Sequence, residues 1–139
     1  MYRRTSTVLL LAWAVMLAPI AFAQHYPSKP VHFVVAFTAG SATDIIARAI
    51  GDAVARGLGQ PVVIENKPGA GGTIAAGAIA RSDPDGYTFL VHSAGHSVNP
   101  AIYPNLTYDT TKDFVAVAPL ANLPNVLVVH PAATKRCRI

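Results

Sequence analysis

The stretch that decides the fold is residues 31–44, which read VHFVVAFTAGSATD. Its first part, Val31–Ala36, is a largely apolar and β-branched run, typical of a strand buried on both faces. Small and hydroxyl-bearing residues follow at Thr38–Thr43 and predict a tight turn. From Asp44 to about Leu58 apolar residues recur at helical spacing, and Gly57 and Gly59 provide the stop expected at a helix C-terminus. The sequence therefore begins its globular part as strand, turn and helix.

The same pattern then repeats along the chain. Pro61–Glu65 is predicted to be a second strand and Asn66–Gly72 a turn. Thr73–Arg81, rich in Ala and Ile, is predicted to be a second helix, and Tyr87–Val91 a third strand. Strands that alternate with helices at this spacing predict a parallel sheet with right-handed crossovers, flanked by helices. The fold class is therefore α/β.

Beyond His92 the pattern is less regular. Ser93–Pro104 is predicted to be a polar turn that opens into a short helix. Phe114–Leu120 and Val126–His130 are two further candidate strands, each next to prolines. The last residues, 132–139, have no apolar periodicity.

The N-terminus has the features of an export signal. Arg3 and Arg4 are followed by an uncharged apolar run, Val8–Phe22, which is shorter than the roughly 20 residues of a membrane-spanning helix. Small residues at positions 21 and 23 suit a signal peptidase. We therefore expect cleavage after Ala23 and a product outside the bacterial cytoplasm. The alternative is an uncleaved membrane anchor.

Charge and cysteine content restrict the classes of partner and cofactor. The whole chain carries 11 basic and 7 acidic residues, and loss of Arg3 and Arg4 leaves a net charge of +2. The basic cluster is confined to residues 135–138, so the stripe expected of a nucleic-acid binder is missing from the sequence. A single cysteine, Cys137, rules out an internal disulfide, and no Cys/His spacing indicates a zinc site. We expect no metal and no cofactor.

Three loops of unusual composition follow the three predicted strands. Carboxyl ends of parallel strands meet at one sheet edge, where ligands of open α/β sheets bind. Small residues allow backbone amides to approach a ligand, and helix N-termini add partial positive charge. The loops therefore predict a donor-rich rim for an anion such as a carboxylate. The three loops are Phe37–Asp44, Asn66–Thr73 and Ser93–Asn99.

Each of these features also has a purely structural interpretation. Glycines between a strand and a helix are often turn residues only. Asp44 is equally suited to capping its helix, with Thr43 as a competitor for that role. His96 in a polar loop is often a surface residue. The three loops together indicate a ligand site more strongly than any one of them.

Enzyme motifs are incomplete in this chain. Gly69 and Gly71 begin a dinucleotide fingerprint, but Ile74 occupies its third glycine position. Residues 91–95, VHSAG, resemble a nucleophile elbow with its first glycine replaced. The alternative function is therefore a secreted α/β hydrolase fragment with Ser93 as nucleophile, supported by Asp109 or Asp113 and His130.

Several motifs together resemble one family, the periplasmic solute receptors of tripartite tricarboxylate transporters, known as Bug receptors. The resemblance covers residues 26–131 and keeps the order of the motifs. They are YPSKPV at 26–31, FTAGSATD at 37–44, GQPVVIENKPGAGG at 59–72, DGYT at 85–88, NPAIY at 99–103, KDF at 112–114 and NVLVV at 125–129. Thr38 and Ser41 stand where many members have Pro and Gly.

The resemblance implies a non-enzymatic receptor with the type II-like, two-domain periplasmic binding-protein fold. Such a receptor closes on a small organic carboxylate and delivers it to membrane permease subunits. The resemblance implies that the first loop, around Ala39, Gly40, Ser41, Ala42 and Asp44, holds the carboxylate through backbone groups and ordered water. It also implies that Ser93, His96 and Asn99 face the same cleft.

Length sets this chain apart from the family it resembles, whose members have roughly 300 residues, about two domains. The expected organisation is a signal peptide at 1–23, a partial N-terminal α/β lobe at 24–131, and a tail at 132–139 that does not follow the family pattern. Only part of the first lobe would be present, and we expect the chain alone to bind its ligand weakly.

Overall fold

The computed structural model describes residues 25–124 together with residues 126 and 128. The predicted signal peptide and the tail at 132–139 lie outside the described residues, as does most of the candidate strand Val126–His130. The elements are β1 (Val31–Val35), α1 (Ala42–Leu58), β2 (Val62–Asn66), a 3-10 turn (Ala70–Gly72), α2 (Thr73–Ile79), β3 (Thr88–Val91) and α3 (Gly95–Ile102).

The three strands form one parallel sheet in the order β2-β1-β3. Val35 at the end of β1 is in register with Asn66 of β2 and with Val91 of β3. All three strands therefore end at the same edge of the sheet. This confirms the predicted α/β class and the parallel arrangement.

Side chains of β1 pack against helices on both faces of the sheet. On one face Val31, Phe33 and Val35 form a cluster with Ala47 of α1. On the other face Val34 packs with Ala75 of α2. Because period-2 alternation places consecutive residues on opposite faces, a strand covered on both sides needs a nearly continuous apolar run. His32 is the exposed exception in β1.

The first helix begins earlier than predicted, at Ala42 instead of Asp44. Ser41 is its N-cap, because the Ser41 side chain accepts a hydrogen bond from the Asp44 amide at 3.3 Å. The prediction that Asp44 or Thr43 caps the helix is therefore wrong. The end of the helix is as predicted: Gly59 adopts the left-handed conformation and its amide bonds the Ala55 carbonyl.

The predicted strand at Phe114–Leu120 is absent, since these residues form no regular structure. The side chains of Val115 and Val117 are 88% and 76% exposed. A strand is stabilised by hydrogen bonds to a neighbour, and in the described part of the chain the sheet pairs only β1, β2 and β3.

A cluster of hydrogen bonds fastens the segment before β1 to the turn before β3. The Tyr26 hydroxyl donates to the Gly86 carbonyl, and the Ser28 amide donates to the Tyr87 hydroxyl at 2.9 Å. Lys29 pairs with Asp85 at 2.8 Å. These contacts lie at the edge opposite the strand-end loops. Among the residues that the structure describes, none of the helices combines the length and apolar character needed to cross a membrane.

Candidate functional site

A cavity of about 410 Å³ lies at the carboxyl edge of the sheet, between the start of α1 and the loop after β3. The crossover after β1 runs to β2, and the crossover after β2 runs back past β1 to β3. In this strand order the crevice between β1 and β3 is where open α/β sheets bind ligands. The lining comes from α1 (Thr43 and Ile46), from Leu90–Gly95, and from residues 118–123. The first and third predicted loops therefore border one cavity.

The first loop presents free amide groups beside this cavity. The Gly40 amide is used by Asp44, the Ser41 amide by the Thr38 carbonyl, and the Asp44 amide by Ser41. In the part of the chain that the structure describes, the amides of Ala42 and Thr43 donate to no other group. These two amides belong to the first turn of α1, where the helix dipole favours an anion.

Asp44 is buried at the centre of a hydrogen-bond network. Its side chain is 3% exposed. Its Oδ2 accepts from the Gly40 amide at 2.8 Å and from Arg48 Nε at 3.0 Å, while its Oδ1 accepts from Asn66 Nδ2 at 2.9 Å. Arg48 first, then the Gly40 amide and Asn66, hold the pKa of Asp44 well below its usual range. The carboxylate is therefore ionised and fully engaged by the protein.

Asn66 connects the first loop to the end of β2. Its Nδ2 donates to the Phe37 carbonyl at 3.1 Å as well as to Asp44, and its Oδ1 accepts from Arg48 Nη2 at 3.1 Å. Asp44, Arg48 and Asn66 are thus each bonded to the other two. The network holds the first loop at both Phe37 and Gly40.

The glycines of the second loop are required by its close contacts. Gly72 has φ +88°, and a Cβ there would lie 2.0 Å from His92 Nε2. Asn99, which is buried, donates from Nδ2 to the Gly71 carbonyl at 3.2 Å. The second loop therefore packs against the loop after β3 and against α3.

His92 and His96 lie in an aromatic cluster beneath the third loop. The His96 ring stacks on Tyr108 at 5.9 Å between centroids and meets Phe114 edge-on at 4.9 Å, with His92 at 5.1 Å. Among the described residues, His92 Nε2 and both His96 ring nitrogens are buried without a hydrogen-bond partner. Burial lowers the pKa of both histidines, and the proximity of His92 lowers that of His96 further. Both rings are therefore neutral near pH 7.

Ser93 is engaged within its own loop. Its Oγ accepts from the Gly95 amide at 3.3 Å, and its carbonyl accepts from the His96 amide at 3.1 Å. In the described residues Ser93 Oγ has no hydrogen bond to a histidine or a carboxylate, and His130 lies outside them. Asp109, the acid suggested for a hydrolase, is instead paired with Lys112 at 3.0 Å. Nothing in this geometry favours the hydrolase alternative.

The structure separates the eight sequence-predicted residues into two groups. The first group lies at the cavity edge or on the exposed first loop: Ala39, Gly40, Ser41, Ala42 and Ser93. The second group is turned into the protein: Asp44, His96 and Asn99. No group of three metal-ligating side chains occurs in the described part of the chain.

Sequence reasoning missed Arg48, Asn66 and His92. The i,i+4 spacing of Asp44 and Arg48 on a predicted helix is a signal that could have found Arg48. For Asn66, the available signal was its position directly after a predicted strand.

Comparison with known proteins identifies the family. A family model described as the tripartite tricarboxylate transporter family receptor matches residues 46–137. That match runs six residues past the predicted boundary of the lobe at 131. A relative from Bordetella bronchiseptica, a UPF0065 protein, is 46% identical over 126 residues, covering 86% of this chain and 37% of the relative.

Two solved structures are similar in fold as well as sequence. The periplasmic binding protein BugD is 46% identical with a TM-score of 0.62, covering 64% of this chain and 30% of BugD. MatC from Rhodopseudomonas palustris, solved with bound malate, is 45% identical with a TM-score of 0.64, covering 68% of this chain and 33% of MatC. The chain spans about a third of the length of these proteins and shares part of their fold. It belongs to the tripartite tricarboxylate transporter receptor family.

Proposed function

We propose that this chain carries part of the binding site of a periplasmic solute receptor for a small organic carboxylate. The observation that supports this most directly is the pair of adjacent free amides at Ala42 and Thr43, since Thr43 lines a cavity in a chain of this receptor family. A carboxylate oxygen accepts well from amides in the first turn of a helix. MatC, a relative with the same fold, binds malate.

The predicted site residues take two roles in this proposal. Ala39, Gly40, Ser41 and Ala42 surround the carboxylate with backbone, and Ser93 offers its hydroxyl from the opposite wall of the cavity. Asp44, His96 and Asn99 support the loops from behind. The chain acts as a receptor and not as an enzyme.

The organisation of the whole receptor is part of the same proposal. Residues 1–23 are a signal peptide removed after Ala23, and residues 24–131 belong to the N-terminal α/β lobe. The whole receptor passes its ligand to permease subunits in the membrane. Hinge closure of two lobes over the ligand is the usual mechanism of periplasmic binding proteins.

A nuclear magnetic resonance titration tests the proposal on protein isolated from the periplasm. Before the titration, we expect mass spectrometry of the isolated protein to give the mass of a chain that lacks residues 1–23. Malate is then added to ¹⁵N-labelled protein, because chemical shifts detect even millimolar binding by a partial site. We expect saturable shifts at residues 38–44 and 93–96, with malate itself unchanged over time. Absence of saturable shifts, or shifts scattered over the surface, would contradict the proposed function, and turnover of malate would contradict a receptor role.

A further inference from the structure

We propose that Arg48 is a positioning residue that neutralises Asp44 and so allows the first loop to accept an anion. The proposal rests on the proposed function and explains how a buried carboxylate is tolerated beside a carboxylate site. Arg48 touches no ligand in this scheme. It acts through Asp44.

The need for neutralisation follows from where Asp44 lies. Its carboxylate accepts from the Gly40 amide at 2.8 Å, so a full negative charge is held inside the loop. The free amides of Ala42 and Thr43 are two residues and one residue from Asp44 in the same turn. A ligand carboxylate bound there would be a second anion nearby, and like charges in a partly desolvated site repel strongly.

Arg48 is placed to remove that repulsion. Its Nε lies 3.0 Å from Asp44 Oδ2, and its Nη2 bonds Asn66 Oδ1 at 3.1 Å. A planar guanidinium can hold both partners at once, which a single ammonium cannot do with the same geometry. The nearby Lys67 is already paired with Glu65 at 3.1 Å. Of the described cations, Arg48 is the one bonded to Asp44.

The charge of Arg48, separate from its packing, is the property that the proposal makes essential. Replacing Arg48 by Gln keeps a hydrogen-bond donor but leaves Asp44 as an uncompensated anion. Replacing Arg48 by Lys keeps the charge but loses the planar guanidinium that bonds two partners at once. Removing both charges, with Asp44→Asn and Arg48→Gln together, takes away the repulsion as well as the neutraliser.

These differences give a test with malate as the probe. We expect R48Q to weaken malate binding about tenfold, the scale of one neighbouring charge at an effective dielectric near 20. R48K should stay within about twofold of the unaltered chain, since the charge is retained. The double variant D44N/R48Q should bind more tightly than R48Q alone. R56Q is the matched control, because Arg56 is an exposed arginine in the last turn of the same helix.

Each outcome decides between explanations. If the unaltered chain shows no malate binding, the proposed function fails and this inference fails with it. If the unaltered chain binds and R48Q binds equally well, only the inference is overturned. Equal weakening in R48Q and R48K means that Arg48 is needed for its shape. A double variant weaker than R48Q means that Asp44 is needed for its hydrogen bonds to Gly40 and Asn66. Either outcome overturns the charge role. The dispersion of the amide spectrum, measured without ligand, tests whether each variant is folded.

Discussion

At the scale of single residues, Gly72 is a position where the backbone conformation and the packing both favour glycine. Its φ of +88° suits glycine, and its Cα faces the buried imidazole of His92. We expect Gly72→Ala to lower the free energy of unfolding by about 2–4 kcal/mol, from backbone strain and overpacking together. Urea denaturation measures the change. Gly57→Ala is the control, because a Cβ there meets nothing within 4 Å in a helix and should stabilise by up to about 1 kcal/mol. Equal midpoints for the two variants would contradict this account.

The sequence predicted the role of a residue correctly where that role depends only on its near neighbours in the chain. The glycines of both loops and the end of α1 at Gly59 follow from turn and cap chemistry, which involves only near neighbours. The roles of Asn66 and His92 depend on strand register, because Val35 must lie beside Asn66 before that side chain can reach Phe37 and Asp44. Strand register depends on residues that are distant in the sequence, so it cannot be predicted from a local pattern.

At the scale of elements, the packing of α3 against the sheet edge depends on two neutral histidines. Burial lowers the pKa of His92 and His96 below the ordinary value of 6.5, so the unfolded chain binds more protons than the folded one as the pH falls. We therefore expect full stability above about pH 7 and a loss that begins as the pH falls below about 6.5. Asp44 and Asp109, whose pKa values are lowered from 3.8, contribute their losses only below about pH 4. Urea midpoints across this range measure the effect.

The variant His96→Phe isolates the source of that pH dependence. Phe keeps an aromatic ring beside Tyr108 and Phe114 and removes two buried nitrogens that have no partner in the described residues. We expect the decline below about pH 6.5 to become shallower than in the unaltered chain. His25→Phe is a matched control at an exposed histidine and should leave the decline unchanged. A decline of the same steepness in H96F would assign the effect to other groups.

Element prediction succeeded for the three strands and two helices with clear periodicity, to within one or two residues at most ends. It was wrong for Phe114–Leu120, where apolar composition alone suggested a strand. Strand propensity describes a side chain that fits a pleated, half-buried surface. Val115 and Val117 have no such surface, since both are largely exposed.

At the scale of the whole molecule, the chain corresponds to about a third of its relatives, and its described surface is unusually apolar in one region. Val115 and Val117 project from a segment without regular structure. The outer strands β2 and β3 each pair on one side only within the described residues. Unpaired strand edges and exposed apolar side chains both favour association between copies of a chain.

We therefore expect the chain to self-associate at concentrations of tens of micromolar or above, a range typical of weak contacts. Sedimentation velocity over a dilution series should show a rising sedimentation coefficient. The double variant V115K/V117K should shift association to at least about tenfold higher concentration, because it adds repulsion and removes apolar area. The control A49K/A53K adds the same charge at two exposed positions of α1. If the control is as effective as V115K/V117K, net charge and not the apolar segment governs association. A concentration-independent monomer would contradict the prediction altogether.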